Sequence, residues 1–173
     1  ITTRTAGFNT LDMGVLGVPA ILGMLILMLI GGSPASTAGG IKTTTFAVLI
    51  RSMIMSIRGY SRMEIFKRTI PNPVIFRAMT VILLAVSCIS ISTILLAIVE
   101  DHAFLDLLFE EVSAFATVGL SRGITADLTS WGKSIIIVSM FLGRVGILTF
   151  MVAFAGRADN RKYRYPEESI MVS

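Results

Sequence analysis

The stretch "VIFRAMTVILLAVSCISISTILLAIV", residues 74 to 99, carries one charged side chain, Arg77, and restricts the fold before anything else is considered. A helix needs about 20 apolar residues to cross a bilayer, and this one has Pro71 and Pro73 before it and Glu100 and Asp101 after it. A second long apolar stretch, "WGKSIIIVSMFLGRVGILTFMVAFAG" at 131 to 156, has Trp131 and Lys133 suited to the membrane interface and Arg144 near its middle. With 54% of all residues hydrophobic, the expectation is an all-α integral membrane protein. The single cysteine, Cys88, lies inside the first span, so an intrachain disulfide is excluded.

Charge is sorted along the chain rather than spread over it. Arg51, Arg58, Arg62, Lys67, Arg68 and Arg77 stand against Glu64 alone, and the linker 58 to 73 is therefore expected in the cytoplasm. From Glu100 to Lys133 the balance reverses, with Asp101, Asp106, Glu110, Glu111 and Asp127 against Arg122 and Lys133, which places that segment outside. The tail 157 to 173 is again basic and returns the C-terminus to the cytoplasm. The net charge of +4 thus reports topology, and nucleic acid is not an expected partner. The opening "ITTRTAGFNT" has neither an initiator methionine nor a secretory signal, and the front of a longer protein is expected to be missing.

Two further segments are apolar but unusual. Residues 13 to 57 read as one helix broken by "GGSPASTAGGIKTTT" (31 to 45). Residues 103 to 116 are too short to cross, yet Phe104, Leu107, Leu108, Val112 and Phe115 recur at helical spacing, which suggests a re-entrant helix. An internal repeat connects these pieces. "TAGFNTLDM" at 5 to 13 resembles "TVGLSRGITADL" at 117 to 128, and each precedes a long apolar helix. Gly31 follows Gly7, and Gly143 follows Gly119, at the same spacing of 24, so Gly32 and Arg144 fall at equivalent positions. One whole copy would comprise helix 74 to 99, pore helix 103 to 116, loop 117 to 123 and helix 131 to 156. The back of another would comprise loop 1 to 12 and broken helix 13 to 57.

Short helix, "TVG" and a following helix is the plan of a potassium-channel pore. Together "TTRTAGFNT", "GGSPASTAGGIKTTTF", "FATVGLS" and "GRVG" resemble the Trk/Ktr/HKT superfamily of potassium uptake proteins, most closely the membrane subunit of bacterial Ktr systems, over almost the whole chain. That resemblance implies four channel-like repeats around a pseudo-fourfold pore, of which this chain matches the end of the third and all of the fourth. It also implies a plasma-membrane protein, a homodimer of complete chains, and a cytosolic nucleotide-binding regulatory ring facing the basic linker and tail. Potassium is the implied cargo. Sodium is a candidate activator that these residues do not themselves reveal, and no organic cofactor or enzymatic activity is implied.

Within this frame Thr5, Ala6, Gly7, Thr117, Val118 and Gly119 are the candidate ion-binding residues, because filters replace an ion's hydration shell with backbone carbonyls and glycine allows them to turn inward. One glycine per loop suggests fewer well-formed sites than "TVGYG" provides. Ordinary glycine turns are the plainer alternative. The gate candidates are Gly31, Gly32, Ser33, Pro34, Ala35, Ser36, Thr37, Ala38, Gly39, Gly40 and Lys42, since helix-breaking residues at membrane depth must be buried in protein or line a cavity. A packing kink is the alternative. A phosphate-binding loop is excluded because Ile41, not glycine, precedes Lys42. A Ser33 nucleophile with His102 as base is disfavoured by the depths assigned to the two.

Arg144 joins the gate set. A charge at mid-membrane costs about 2.5 to 3.5 kcal/mol on insertion scales and must face the interior or water; in the resembling family the matching arginine sits beside the glycine-rich loop. A purely structural tie between helices is the other reading. For the carboxylates Asp106, Glu110 and Glu111 two readings stand equally: concentration of cations at the pore mouth, or acceptance of hydrogen bonds from the adjacent loop. A coupled secondary transporter with a midplane site and a noncatalytic membrane scaffold are the competing function classes.

Overall fold

The computed structural model describes residues 2–9, 13–34, 36, 38–59, 64, 65, 68–146 and 149. Candidate residues Ala35 and Thr37, residues 10–12 of the first loop, parts of the linker and the tail 157–173 lie outside them. Among the described residues five α-helices form the body: α1 (Val18–Leu29), α2 (Thr43–Ile57), α3 (Asn72–Val99), α4 (Phe104–Phe115) and α5 (Ser130–Val145). Between α2 and α3 a two-stranded antiparallel ribbon pairs β1 (Glu64–Ile65) with β2 (Arg68–Thr69), an element the all-helical expectation lacked.

Local chemistry explains the boundaries. Pro73 stands in the first turn of α3, where its missing N–H costs nothing, and Glu100 leaves helical geometry at the far end. At 28 residues, α3 is the one helix among those described that is long and apolar enough to cross a membrane; at 1.5 Å per residue it spans about 42 Å. Leu83, Ile91 and Ile98 on its surface are exposed apolar side chains, as expected of a helix solvated by lipid. The apolar stretch expected to be helical from residue 13 instead begins with a 3₁₀ turn (Met13–Val15), and α1 starts only after Gly17, with Pro19 in its first turn. At the other end α5 does not run uninterrupted to 156: Gly146 takes φ +89°, a left-handed geometry that ends helical hydrogen bonding.

The centre of the described structure is a 12-residue helix, α4, and not the longest one. α4 is packed by α1, α3 and α5, and every residue from Phe109 to Phe115 is buried. Ile21, Leu25 and Met28 of α1, Ala85 and Ile89 of α3, and Phe109, Val112 and Phe115 of α4 share one core with Val118 and Leu120. α2 packs on α3. This arrangement holds the C-terminal end of α4, and the loop that leaves it, against the point where α1 stops.

Candidate functional site

The end of α4 is closed by backbone alone. Thr117 N–H donates to the Ala114 carbonyl at 3.1 Å and Val118 N–H to the Ser113 carbonyl at 2.9 Å, the paired bonds of a helix stop whose next residue is left-handed. Glycine usually fills that position; here it is Thr117, at φ +54°. Thr5 repeats the anomaly at φ +63°, and the glycines two residues later match as well, Gly7 at +70° and Gly119 at +82°. A β-branched residue in this region is a backbone outlier, and such strain costs of order 1–3 kcal/mol and concentrates at functional sites. Both Thr-x-Gly loops therefore adopt the same unusual path.

The loops also meet. A Cβ on Gly7 would stand 3.3 Å from the Val118 carbonyl oxygen, and one on Gly119 would stand 3.5 Å from Gly7 Cα. At these glycines they pack backbone against backbone. Behind them Ser113 Oγ accepts the Leu120 N–H at 3.0 Å, which fixes the outgoing strand of the second loop to its own helix.

The 31–42 segment leaves α1 and rejoins α2 through a closed neck. Gly31 N–H donates to Ile41 O (2.8 Å), Ile41 N–H to Leu29 O (3.3 Å) and Thr43 N–H to Gly32 O (3.1 Å). Gly31 has no room for a side chain, because a Cβ there would enter the Gly39 carbonyl. Lys42 folds back over the loop, its Nζ donating to Ala38 O at 2.6 Å and Ser36 O at 3.3 Å. Ser33 and Pro34 are exposed, whereas Ala38 and Gly39 are buried. Gly39 N–H donates to Thr117 Oγ1 at 2.9 Å, so the broken helix is hydrogen-bonded directly to the left-handed threonine.

Arg144 shares a groove with the same threonine. It lines a groove of about 640 Å³ together with Ser113, Thr117, Gly119 and Ser121. Its neighbour Gly143 lies against the end of α4, where any Cβ would overlap the Phe115 carbonyl oxygen. Arg144 sits in the last turn of α5, whereas Gly32, its counterpart by spacing, follows a helix that has already ended at Leu29. The equal counting holds in sequence, but the two helices stop a turn apart.

The three carboxylates separate. Asp106 pairs with Arg122, and Glu110 accepts from Ser121 Oγ, from Arg122 N–H at 3.1 Å and from Thr125 Oγ1 at 3.0 Å. Glu111 is fully buried on the opposite side, beside Ser92 and Ser139, whose hydroxyls are 3.2 Å apart. Arg122 and Ser113 were not among the residues singled out from sequence. Their partners lie across turns or on distant segments, and no local spacing signals them. Among the described residues no group of three or more His, Cys, Asp or Glu side chains is arranged to hold a metal.

Known proteins resemble this chain in sequence and in fold. The family model for TrkH, "Cation transport protein", matches residues 1–163. Ktr system potassium uptake protein B of Bacillus subtilis is 45% identical over 98% of this chain and 38% of its own length. The potassium/sodium uptake protein NtpJ of Enterococcus hirae is 39% identical over 99% of the chain and 40% of its length. The chain thus spans well under half the length of these relatives. The crystal structure of the potassium transporter TrkH from Vibrio parahaemolyticus superposes with a TM-score of 0.73 at 21% identity, over 87% of this chain and 34% of that one, and shares its fold. With the family model covering nearly the whole chain, the protein belongs to the TrkH family of membrane cation transport proteins and is not an enzyme.

Proposed function

We propose that this chain supplies two of the four pore-lining repeats of a potassium uptake protein in the plasma membrane. The observation that carries the reading is the pair of Thr-x-Gly loops, alike in backbone and packed against each other, with Gly39 hydrogen-bonded to Thr117. A filter requires successive carbonyls to turn toward one side, and left-handed residues at the threonine and glycine give the backbone that freedom. Carbonyls of Thr5 to Gly7 and Thr117 to Gly119 coordinate the dehydrated ion, and repeats elsewhere in a longer polypeptide complete the ring.

Loop 31–42 stands at the inner end of that filter as a gate, tied at its neck and docked on Thr117. Arg144 contributes a fixed positive charge beside the path and biases the closed state. Asp106 and Glu110 act here as braces for the outer loop rather than as free attractors of cations, because both are engaged. The names of the relatives support potassium as the cargo, and one of them also carries sodium. The complete protein is a multi-pass homodimer with a cytoplasmic C-terminus and a cytosolic nucleotide-binding regulatory ring. Full-length protein reconstituted in liposomes tests this directly: potassium flux is expected, with loss of gating on deletion of 31–42 or in Arg144→Ala. Absence of any potassium flux would refute conduction, and unchanged gating in both variants would refute the gate.

A further inference from the structure

Arg122 lies three residues beyond Gly119, and its hydrogen bonds reach two separate parts of the molecule. Nη1 pairs with Asp106 in the first turn of α4. Nε donates to Met13 O and Nη2 to Gly14 O, each at 3.3 Å. Those two carbonyls belong to the segment that follows the other Thr-x-Gly loop. Its own N–H meanwhile donates to Glu110. One planar guanidinium thus fastens the exit of the second loop to its own pore helix and to the exit of the first.

The surroundings suit a rigid brace rather than a solvated charge. The side chains of Arg122 and Asp106 are only 14% and 24% exposed. Met13, which accepts one of the bonds, is itself buried in the main core. Exposed ion pairs contribute little, but a sheltered fork with several simultaneous acceptors holds geometry that a flexible point charge does not. Across the seam the two loops approach as backbone surfaces at Gly7, Val118 and Gly119. Their separation is then governed by what clamps their outer ends.

We propose that Arg122 is a positioning residue for ion selection: by tying Asp106 to the Met13 and Gly14 carbonyls it sets the spacing between the two loops and so the preference for potassium over sodium. The proposal rests on the filter reading of those loops. It is tested on full-length protein in liposomes by measuring rubidium and sodium uptake for wild type, Arg122→Met, Arg122→Lys and Asp106→Asn.

The rubidium-to-sodium ratio is expected to fall about fivefold in Arg122→Met, the scale on which one lost hydrogen-bond contribution acts. Arg122→Lys should restore the ratio only in part, because an ammonium cannot span all three acceptors, and Asp106→Asn should lie between the extremes. A fall in maximal uptake with an unchanged ratio would assign Arg122 to folding alone and overturn the proposal. Full rescue by lysine would overturn the brace in favour of simple charge. Wild-type protein that carries neither ion would instead refute the filter reading itself.

Discussion

Replacing Thr117 by valine removes one oxygen and little else, which isolates the contact between the broken helix and the pore loop. Valine keeps the β-branched shape, so the strain at φ +54° is carried by both residues and cancels. Space above Gly39 also stays filled: a Cβ on that glycine would stand 2.6 and 2.7 Å from the Thr117 Oγ1 and Cγ2 atoms, and valine occupies both places. What changes is the acceptor for the buried Gly39 N–H, now 2.9 Å from Oγ1. Leaving a buried donor unpaired costs about 1–3 kcal/mol. A shift of one or two kcal/mol changes a two-state ratio by a factor of about 5–30.

Docked and undocked forms of loop 31–42 should therefore redistribute by that factor. In liposomes holding the full-length protein without any activating partner, basal potassium flux is expected to rise by about 5–30-fold in Thr117→Val. Thr117→Ser, which keeps the oxygen, should behave as wild type. Amide hydrogen exchange at Gly39 to Ile41 should accelerate in the valine variant only. Wild-type flux combined with wild-type exchange in Thr117→Val would refute the docking argument. Reduced flux with altered selectivity would also refute it, since the hydroxyl would then serve the ion and not the loop.

Three other changes follow from the same contacts. Gly143→Ala forces a methyl group into the Phe115 carbonyl, where neither backbone can yield, and should destabilise the purified full-length protein by at least about 1–3 kcal/mol, read as a lower unfolding midpoint in detergent; an unchanged midpoint would contradict the packing. Lys42→Met removes the charge-assisted bonds to Ala38 and Ser36 carbonyls and should raise both basal flux and loop exchange without altering ion preference. Glu110→Gln weakens a carboxylate that receives Ser121, Arg122 and Thr125, and should cost about 1–3 kcal/mol of stability while leaving Gly39 exchange unchanged.

Much of the architecture could be read from local pattern. Prolines and acids bracket α3, the interval of Leu107, Val112 and Phe115 marks α4 to within a residue at either end, and the cluster of small residues marks the break between α1 and α2. Periodicity was less informative about which face of α4 is dry. Charged residues ordinarily mark the wet face of a helix, but α4 is enclosed by three others, so Glu110 and Glu111 are both buried. Arg122 was legible only as a charge. Two of its three acceptors stand 109 and 108 residues away in the chain, and nothing in the neighbouring letters encodes such a distance. Gly143 drew notice as a counting mark in the repeat, whereas its steric necessity depends on a carbonyl from another helix.

That glycine governs more than its own contact. Because α5 rests on the α4 terminus through bare backbone at Gly143, the height of the helix and its rotation about its axis are both indexed there. The next residue, Arg144, is offset from it by about 100° of turn. The azimuth of the arginine is thus inherited from its neighbour rather than chosen by its own reach. Any motion that swings the guanidinium away from the Thr117 groove must either rotate side-chain torsions within a fixed frame or unseat α5 from α4 altogether. A charge aimed in this way behaves like a pointer on a keyed shaft.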